Sequence, residues 1–266
     1  MEPVRPEFVP DPSLSRAEME ALQRDIAEAA RFSDALDVSP ARLGDGPIEI
    51  EQATLGETST GADPPVVAGV DQAFVGDRAV SAIVVLRGGE VIERVHAVER
   101  TEIPYIPGLL SFREGGAILA AFAELTHEPD VILVDGSGRI HFREAGLATH
   151  IGVTLDVPAV GVAKSILCGT PERSLDEKYP VGTRIPITAD ESIETCAAGT
   201  LVGHAIQTRQ YDSPNRHVNP LIVSPGHRVE ASTAAHLVEA TTDGYKLPEP
   251  TRLADSYADE AKASVE

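Results

Sequence analysis

Three consecutive segments of this chain have the pattern of β-strands and are joined by turns too short to hold a helix. They cover residues 66–74, 79–86 and 91–98. The intervening Gly76-Asp77 and Gly88-Gly89 pairs are typical of hairpin turns. Strands joined so closely must pair antiparallel, because a parallel connection needs about a dozen residues or more. We therefore predict an antiparallel meander of three strands.

Helical and strand-like segments alternate after the meander. Apolar spacing predicts helices over residues 111–125 and 145–151, and the wholly apolar runs 131–134 and 159–162 are typical of buried strands. Meander, helix, strand, helix, strand is the element order of an RNase H-like α/β fold. We predict this fold class, with a central mixed sheet flanked by helices.

The two ends of the chain give weaker patterns. A capping box at residues 15–18, followed by apolar residues at helical spacing, predicts an N-terminal helix. Further elements are expected as a strand pair around residues 199–206 and 221–224 and a helix over 231–239. The predicted organisation is an N-terminal helix and acidic linker (1–65), one α/β domain (66–255) and a frayed acidic tail (256–266).

Acidic residues outnumber basic ones, 42 to 22, and the formal net charge is −20. Only four residues are lysine: Lys164, Lys178, Lys246 and Lys262. At about 1 M salt the Debye length is roughly 3 Å, so the self-repulsion of such a surface is largely screened. The charge alone argues against a nucleic-acid partner, since phosphate binding usually needs a basic surface. We interpret it as evidence of a halophilic habitat.

Cysteine use and hydropathy bear on the compartment. The two cysteines, Cys168 and Cys196, occur without an apolar signal-peptide core at the N-terminus. No apolar run approaches the length that spans a bilayer. We expect a cytoplasmic protein with free thiols and no membrane partner.

Two apolar strands deliver an aspartate at or near their ends, Asp71 and Asp135. Carboxylate oxygens suit Mg²⁺ or Mn²⁺, although Asp is also a common turn and N-cap residue. Glu114 begins the helix after the meander, where the helix dipole alone could favour it. If the three carboxylates converge they repel one another unless a cation lies between them. Such a site predicts attack of a metal-activated water on a phosphodiester.

Two loops beside these carboxylates suggest ligand contacts. Residues 104–108, Pro-Tyr-Ile-Pro-Gly, form a stiff loop that could wedge between stacked bases, or could be a packed loop with a buried Tyr105. The glycines at positions 136 and 138 permit close approach of a ligand to free N–H groups, or mark a simple turn.

Four basic or histidine side chains complete the polar set. Lys164 follows a buried strand and could offset phosphate charge, or could be a surface lysine with a packed stem. His141, His150 and His227 are candidates for structural or ligand roles. His227 has the better case as a ligand because it follows the rigid Ser-Pro-Gly turn at residues 224–226.

Six sequence blocks together resemble the endonuclease V family, the deoxyinosine-directed repair nucleases. In chain order they are VAGVDQAF, PYIPGLLSFRE, DGSGRIHFREAGLATHIGV, GVAKSILCG, VSPGHRV and EPTRLAD, between about residues 66 and 255. The resemblance implies Mg²⁺-dependent hydrolysis, with Mn²⁺ as a substitute, of the second phosphodiester 3′ to the lesion. The products would carry 3′-hydroxyl and 5′-phosphate ends. We separately expect the protein to be a monomer.

The resemblance also implies residue roles. Metal binding and catalysis would fall to Asp71, Glu114 and Asp135, with His227 as a further metal ligand and Lys164 at the phosphate. The strand-separating wedge would be Pro104, Tyr105, Ile106 and Pro107. The pocket for the flipped hypoxanthine would be lined by Leu110, Gly136, His141, Gly146 and Leu167. Flipping costs least at a mispaired base, which favours deoxyinosine over normal pairs.

The chain departs from the family pattern at Ser137, Phe142 and Glu144, beside the base pocket, so lesion preference is less fixed than catalysis. Residues 41–65 and 214–220 look like insertions. Alternative functions are another RNase H-like nuclease, acting on inosine-containing RNA, junctions or hybrids, and a non-catalytic nucleic-acid-binding relative. The wedge loop and glycine-rich pocket argue against the former, and retention of the acids and Lys164 argues against the latter.

Overall fold

The computed structural model describes residues 1–36, 64–213 and 216–265. Its first three strands are β1 (Val66–Val75), β2 (Arg78–Arg87) and β3 (Glu90–Arg100), paired antiparallel in that order. The glycines of both turns have positive φ, +59° at Gly76 and +57° at Gly88. The predicted meander is confirmed.

The predicted alternation of helices and buried strands is also confirmed. The elements are α2 (Leu110–Ala123), β4 (Val131–Asp135), α3 (Leu147–Leu155) and β5 (Ala159–Ala163). β4 pairs parallel with both β1 and β5, so the carboxyl ends of these three strands meet at one edge of the sheet. We call this the carboxyl edge.

The second half of the chain extends the sheet. It adds β6 (Thr170–Pro171), β7 (Arg184–Thr188), β8 (Leu201–Ile206) and β9 (Leu221–His227). The described strands form one mixed sheet in the order β3-β2-β1-β4-β5-β9-β8-β7-β6. β9 runs antiparallel to β5, and β8 and β7 continue antiparallel. The sequence did not predict β6 or β7; β7 is short and carries Pro186, which argues against a strand.

Helices cover both faces of the sheet because side chains alternate along each central strand. Val66, Ala68 and Val70 pack with α2 and α3, whereas Val67 packs with α4 (Ala231–Ala240). The last helix, α5 (Glu249–Val265), packs on the same face as α4, against β1 and β2. The predicted fold class, a mixed sheet flanked by helices, is therefore confirmed.

The N-terminal segment packs against the α/β layers. It contains α1 (Arg16–Ala29), which begins with the predicted capping box between Ser15 and Glu18. The backbone N–H groups of Val4 and Arg5 both donate to the carbonyl of Thr154 at 3.0 Å. The segment is thereby fixed to the end of α3.

The structure contradicts the prediction for the C-terminal tail and leaves most of the predicted insertions undescribed. The acidic tail expected to fray beyond residue 255 is instead the second half of α5, where Ala258 and Ala261 are buried. Most of the excursion at 41–65 and residues 214 and 215 lie outside the described residues. Within the described ranges, no helix is long and apolar enough to cross a membrane.

Candidate active site

Asp71 and Asp135 lie side by side at the carboxyl edge. In the parallel β1–β4 pair, Val70 is in register with Val134, so the next residue of each strand is an aspartate. Asp71 continues β1 and Asp135 ends β4. The fold thus brings together two residues that are far apart in the chain, as the sequence analysis expected.

A third aspartate joins them from α5. One carboxylate oxygen from each of Asp71, Asp135 and Asp255 lies within 4.8 Å of the other two. Asp255 is the last residue of the predicted α/β domain, and its place in the sequence suggested no role in the site. The sequence did contain a signal, because Ala254, Ala258 and Ala261 have the spacing of one helix face. The structure shows that all three are buried.

Lys164 supplies positive charge to this cluster. Its ammonium nitrogen lies 3.0 Å from Oδ2 of Asp135 and 3.7 Å from Oδ1 of Asp255. Burial lowers the pKa of Lys164, but the neighbouring carboxylates outweigh this and raise it overall. The side chain is held as a cation at the carboxyl edge, beside Asp135 and Asp255.

The carboxylate cluster is electrostatically unfavourable by itself. Burial, and then the negative charge of Asp135, raise the pKa of Asp71 to about 8. A pKa shifted this far above the ordinary range for Asp means that the deprotonated form is poorly solvated. Hard oxygen donors packed in this way match the preference of Mg²⁺ and Mn²⁺. The residues present therefore fit a divalent cation.

Glu114 lies beside the cluster but is not one of the three carboxylates that approach one another within 4.8 Å. It occupies the first turns of α2, is 6% exposed, and interacts electrostatically with Asp135. Burial raises its pKa to about 7; Arg113 opposes this shift and Asp135 adds to it. The structure thus brings Glu114 to the same end of the sheet.

The structure does not bring His227 to the cluster, and its prediction as a metal ligand is wrong. His227 pairs with Ala159 at the start of β5, roughly 13 Å along the strand from the end that carries Lys164. Nδ1 of His227 accepts from the N–H of Arg31 at 3.2 Å, and Nε2 lies 3.0 Å from Oδ1 of Asp156. Both ring nitrogens have protein partners at the opposite edge of the sheet.

A cavity of about 220 Å³ begins at the residue after Asp135. It is lined by all five residues of the predicted base pocket, Leu110, Gly136, His141, Gly146 and Leu167. Ser111 also lines it, and its buried hydroxyl has no hydrogen-bond partner among the described residues. The cavity can therefore receive a ligand with polar groups directly beside the carboxylates.

The pocket glycines provide close packing, not free N–H donors. The N–H of Gly136 donates to Val162 at 3.0 Å, and that of Gly146 donates to Gly138 at 3.1 Å. A Cβ on Gly146 would lie 2.3 Å from the carbonyl oxygen of Ser137, which no side chain tolerates. The N–H groups predicted to be free were those of Gly136 and Gly138, and the N–H of Gly138 donates to Oγ of Ser224 at 2.9 Å, so neither is free.

The histidines near the pocket are neutral and structural. Nδ1 of His141 accepts from the N–H of Arg143 at 3.2 Å, so Nε2 carries the proton and donates to the carbonyl of Gly108 at 3.1 Å. Burial lowers the pKa of His141 to about 4. His150 is fully buried, has a pKa lowered by burial to about 4, and bonds to the carbonyl of Phe8.

The three departures from the family pattern take different positions. Ser137 lines the cavity, whereas Phe142 and Glu144 are not among its lining residues. Glu144 accepts from Nε of Arg139 at 2.6 Å. Only Ser137 is thus placed to contact a ligand in the cavity.

The loop at residues 104–108 projects from the protein at the mouth of this cavity. Tyr105 is 61% exposed and lines the cavity, while Pro104 and Pro107 are exposed. Ile106 packs inward with Leu109 against α1. The alternative of a packed loop with a buried tyrosine is thereby excluded.

Comparison with known proteins gives one family. The family model for endonuclease V matches residues 50–256. The endonuclease V of Haloarcula marismortui is 79% identical, over 99% of this chain and 98% of its own. The endonuclease V of Natronomonas pharaonis is 57% identical, with the same two coverages. Both sources agree with the halophilic habitat predicted from composition.

Solved structures agree with the fold. Endonuclease V from Streptomyces avermitilis has a TM-score of 0.71 and 31% identity, covering 98% of this chain and 97% of that one. The Bacillus subtilis enzyme has a TM-score of 0.76 and 26% identity, covering 100% and 98%. The Ciona intestinalis endonuclease V (TM-score 0.68, 24% identity, covering 94% and 98%) was solved in complex with a 24mer DNA containing an inosine followed by a ribo-adenosine.

Proposed function

Because the chain belongs to the endonuclease V family, we propose that it is a repair nuclease that cuts DNA at deoxyinosine. One observation carries this proposal. The cavity that would take the base begins at Gly136, the residue that directly follows the carboxylate ligand Asp135. Recognition and cleavage would thus be built on one short segment at the end of β4.

The metal would be held by Asp71, Asp135 and Asp255, with Glu114 beside them. When bound there, Mg²⁺ or Mn²⁺ would supply an activated water and stabilise charge on the leaving oxygen. Lys164, already ion-paired at the cluster, would turn its ammonium toward a non-bridging oxygen of the scissile phosphate. The rigid strands β1 and β4 would hold two of the carboxylates at fixed positions.

The base would enter the cavity after rotating out of the duplex. A volume of about 220 Å³ is below the roughly 300–1,000 Å³ typical of pockets for drug-sized ligands and suits a single base. The exposed Tyr105, with Pro104 and Pro107, would fill the gap left in the stack, whereas Ile106, predicted as part of the wedge, packs inward with Leu109. Neutral His141 and the unpartnered hydroxyl of Ser111 would add polarity to the lining.

The cleavage position and the product ends follow from the family resemblance, whereas the monomeric state and the location are separate expectations from the sequence. The cut would fall at the second phosphodiester 3′ to the lesion and leave 3′-hydroxyl and 5′-phosphate ends. The enzyme would act as a monomer in the cytoplasm. The complex of the Ciona relative with inosine-containing DNA supports the substrate class.

A nicking assay on a deoxyinosine duplex tests the proposal. Asp71→Ala and Asp135→Ala should abolish Mg²⁺-dependent nicking while the proteins stay folded, because each removes a ligand of the metal. Asp259→Ala, on an exposed position of α5, is the matched control and should keep wild-type activity. Full activity in either of the first two variants would overturn the metal-site assignment.

A further inference from the structure

Gln23 is a polar residue on the buried face of α1. Met19, Gln23 and Ile26 are the buried residues of this helix, and Gln23 is only 1% exposed. A buried amide must satisfy both its donor and its acceptor, since an unpaired polar group is costly inside a protein. The partners of Gln23 are therefore informative about what α1 does.

Both ends of the Gln23 amide bond to the recognition region. Nε2 of Gln23 donates to the carbonyl of Gly108 at 2.8 Å, at the exit of the exposed loop. Nε of Arg143 donates to Oε1 of Gln23 at 2.8 Å. One side chain of α1 thus connects the loop that would enter the DNA with the segment that carries His141.

These bonds form a closed ring with His141. The carbonyl of Gly108 accepts from Gln23 and also from Nε2 of His141, and the N–H of Arg143 donates to Nδ1 of the same histidine. Gly108 has a φ of +81°, and a Cβ there would lie 2.9 Å from the ring of Phe142. The loop exit is therefore held on several sides.

Apolar contacts reinforce the same connection. Met19 and Leu22 of α1 pack in one cluster with Ile106 and Leu109, which flank the loop exit. Gln23 itself is among the residues that line the base cavity. α1 therefore lies beneath both the loop and the cavity, although it precedes residues 50–256, which the family model matches.

We propose that Gln23 is a positioning residue for lesion recognition, which fixes the loop at residues 104–108 relative to the base cavity. This inference rests on the proposed function for its meaning in DNA binding. Gln23 acts through Gly108 and Arg143 and takes no part in the chemistry at Asp71 and Asp135. Its loss should weaken lesion binding more than the cleavage step.

Gln23→Leu keeps the approximate size of the side chain and removes both hydrogen bonds. Gln23→Glu can still accept from Arg143 but cannot donate to Gly108, so it isolates the bond to the loop. We expect each variant to weaken binding of a deoxyinosine duplex roughly 10-fold, the factor that corresponds to one unsatisfied buried group. The single-turnover cleavage rate at saturating protein should change less than about 3-fold.

Gln207→Leu is the matched control. Gln207 is also 1% exposed and donates to two backbone carbonyls, those of Arg209 and Val218, but it does not line the base cavity. Gln207→Leu should leave unchanged the ratio between the affinity for a deoxyinosine duplex and the affinity for an undamaged duplex. The proposal is overturned if Gln23→Leu keeps the wild-type ratio, or if Gln207→Leu lowers the ratio equally.

A second readout does not depend on the substrate. The chain contains no tryptophan, so Tyr105→Trp would place a single fluorescent reporter at the tip of the loop. Adding Gln23→Leu should lower the tryptophan anisotropy in the absence of DNA, and adding Gln207→Leu should not. Unchanged anisotropy with Gln23→Leu would refute the positioning role. Failure of the wild type to bind deoxyinosine duplex would instead refute the proposed function.

Discussion

Lys164 and Asp255 meet at 3.7 Å although one follows a central strand and the other lies on the last helix of the chain. Lys164 is also paired with Asp135 at 3.0 Å, so its ammonium links α5 to β4. The packing of α5 on β1 and β2 therefore helps to form the candidate active site. Asp255, the last residue of the predicted domain and one with no predicted site role, is therefore a candidate metal ligand.

Asp255→Asn should lower Mg²⁺-dependent nicking by more than about 100-fold. Removal of a group that merely supports a metal ligand typically costs about 10–100-fold, and a direct ligand should cost more. Asp259→Asn, one turn further along α5 and exposed, should have no effect. Equal activity of the two variants across a Mg²⁺ titration would exclude Asp255 from the metal site.

Asp71→Asn should stabilise the metal-free protein while it abolishes nicking. The pKa of Asp71 is raised to about 8 in the folded protein, whereas it is about 4 in the unfolded chain. The stability that the protonated carboxyl contributes is therefore complete below about pH 4 and is lost as the pH rises through about 8. The asparagine variant has no ionisable group at this position, so its stability does not fall in this way as the pH rises. At pH 8 in EDTA we expect its Tm to be higher than that of the wild type by at least several degrees, because each unit of a pKa shift corresponds to about 1.4 kcal/mol.

The measurement is thermal unfolding of both proteins in EDTA at several pH values. The difference in Tm should shrink toward pH 5, where Asp71 is protonated in the folded wild type. Asp259→Asn again serves as the control and should show no comparable pH dependence. A variant less stable than the wild type at pH 8 would show that Asp71 is not an unfavourable buried charge.

Sequence patterns predict most of the fold but only part of the site. The meander and the alternation around β4 and β5 are visible because their strands are apolar or, in β3, alternate apolar and polar residues, and turn residues bound the hairpins. α5 is hard to recognise because its buried residues after Thr251 are alanines, whose helical spacing is only a weak apolar signal. The candidate ligand Asp255 was missed for the same reason.

His227 and Gln23 illustrate a second limit. Residues 224–226, predicted as a rigid turn before His227, belong to β9, and because β9 runs antiparallel to β5, His227 lies at the edge of the sheet away from Asp135. Strand direction in the second half of the chain depends on pairing that local pattern does not reveal. Gln23 looks like an ordinary helix residue, and its contacts with Gly108 and Arg143 arise only from tertiary packing.

Acidification should destabilise the fold through the buried histidines. Burial lowers the pKa of both His141 and His150 to about 4, below the ordinary value of about 6.5. The stability that each neutral ring contributes is present above about pH 6.5 and is lost as pH falls toward 4. Each loss amounts to at most roughly 3 kcal/mol by the same linkage.

His150→Gln removes one of these titrations and keeps a donor for the carbonyl of Phe8. Relative to wild type, the variant should lose less free energy of unfolding between pH 7 and pH 4.5, measured by denaturant titration in molar KCl. His236→Gln, at an exposed position of α4, should follow the wild-type curve. Parallel curves for wild type and His150→Gln would contradict the assignment of His150 as a buried neutral ring.

Stability should rise from low salt to molar KCl. The formal net charge of −20 produces self-repulsion, which is screened when the Debye length falls to about 3 Å at 1 M salt. A variant with Glu28, Glu99 and Glu260, all exposed, changed to Lys should depend less on KCl. An equal Tm at low salt and in molar KCl would refute halophilic adaptation of the surface.

The central claim is that one site both recognises deoxyinosine and hydrolyses the strand beside it. The most direct measurement maps the product ends from a duplex with one deoxyinosine, in molar KCl with Mg²⁺, next to matched undamaged DNA and inosine-containing RNA. We predict a nick at the second phosphodiester 3′ to the lesion, with 3′-hydroxyl and 5′-phosphate ends, and none in undamaged DNA. Cleavage that ignores the deoxyinosine, or that persists in Asp135→Ala, would contradict the account.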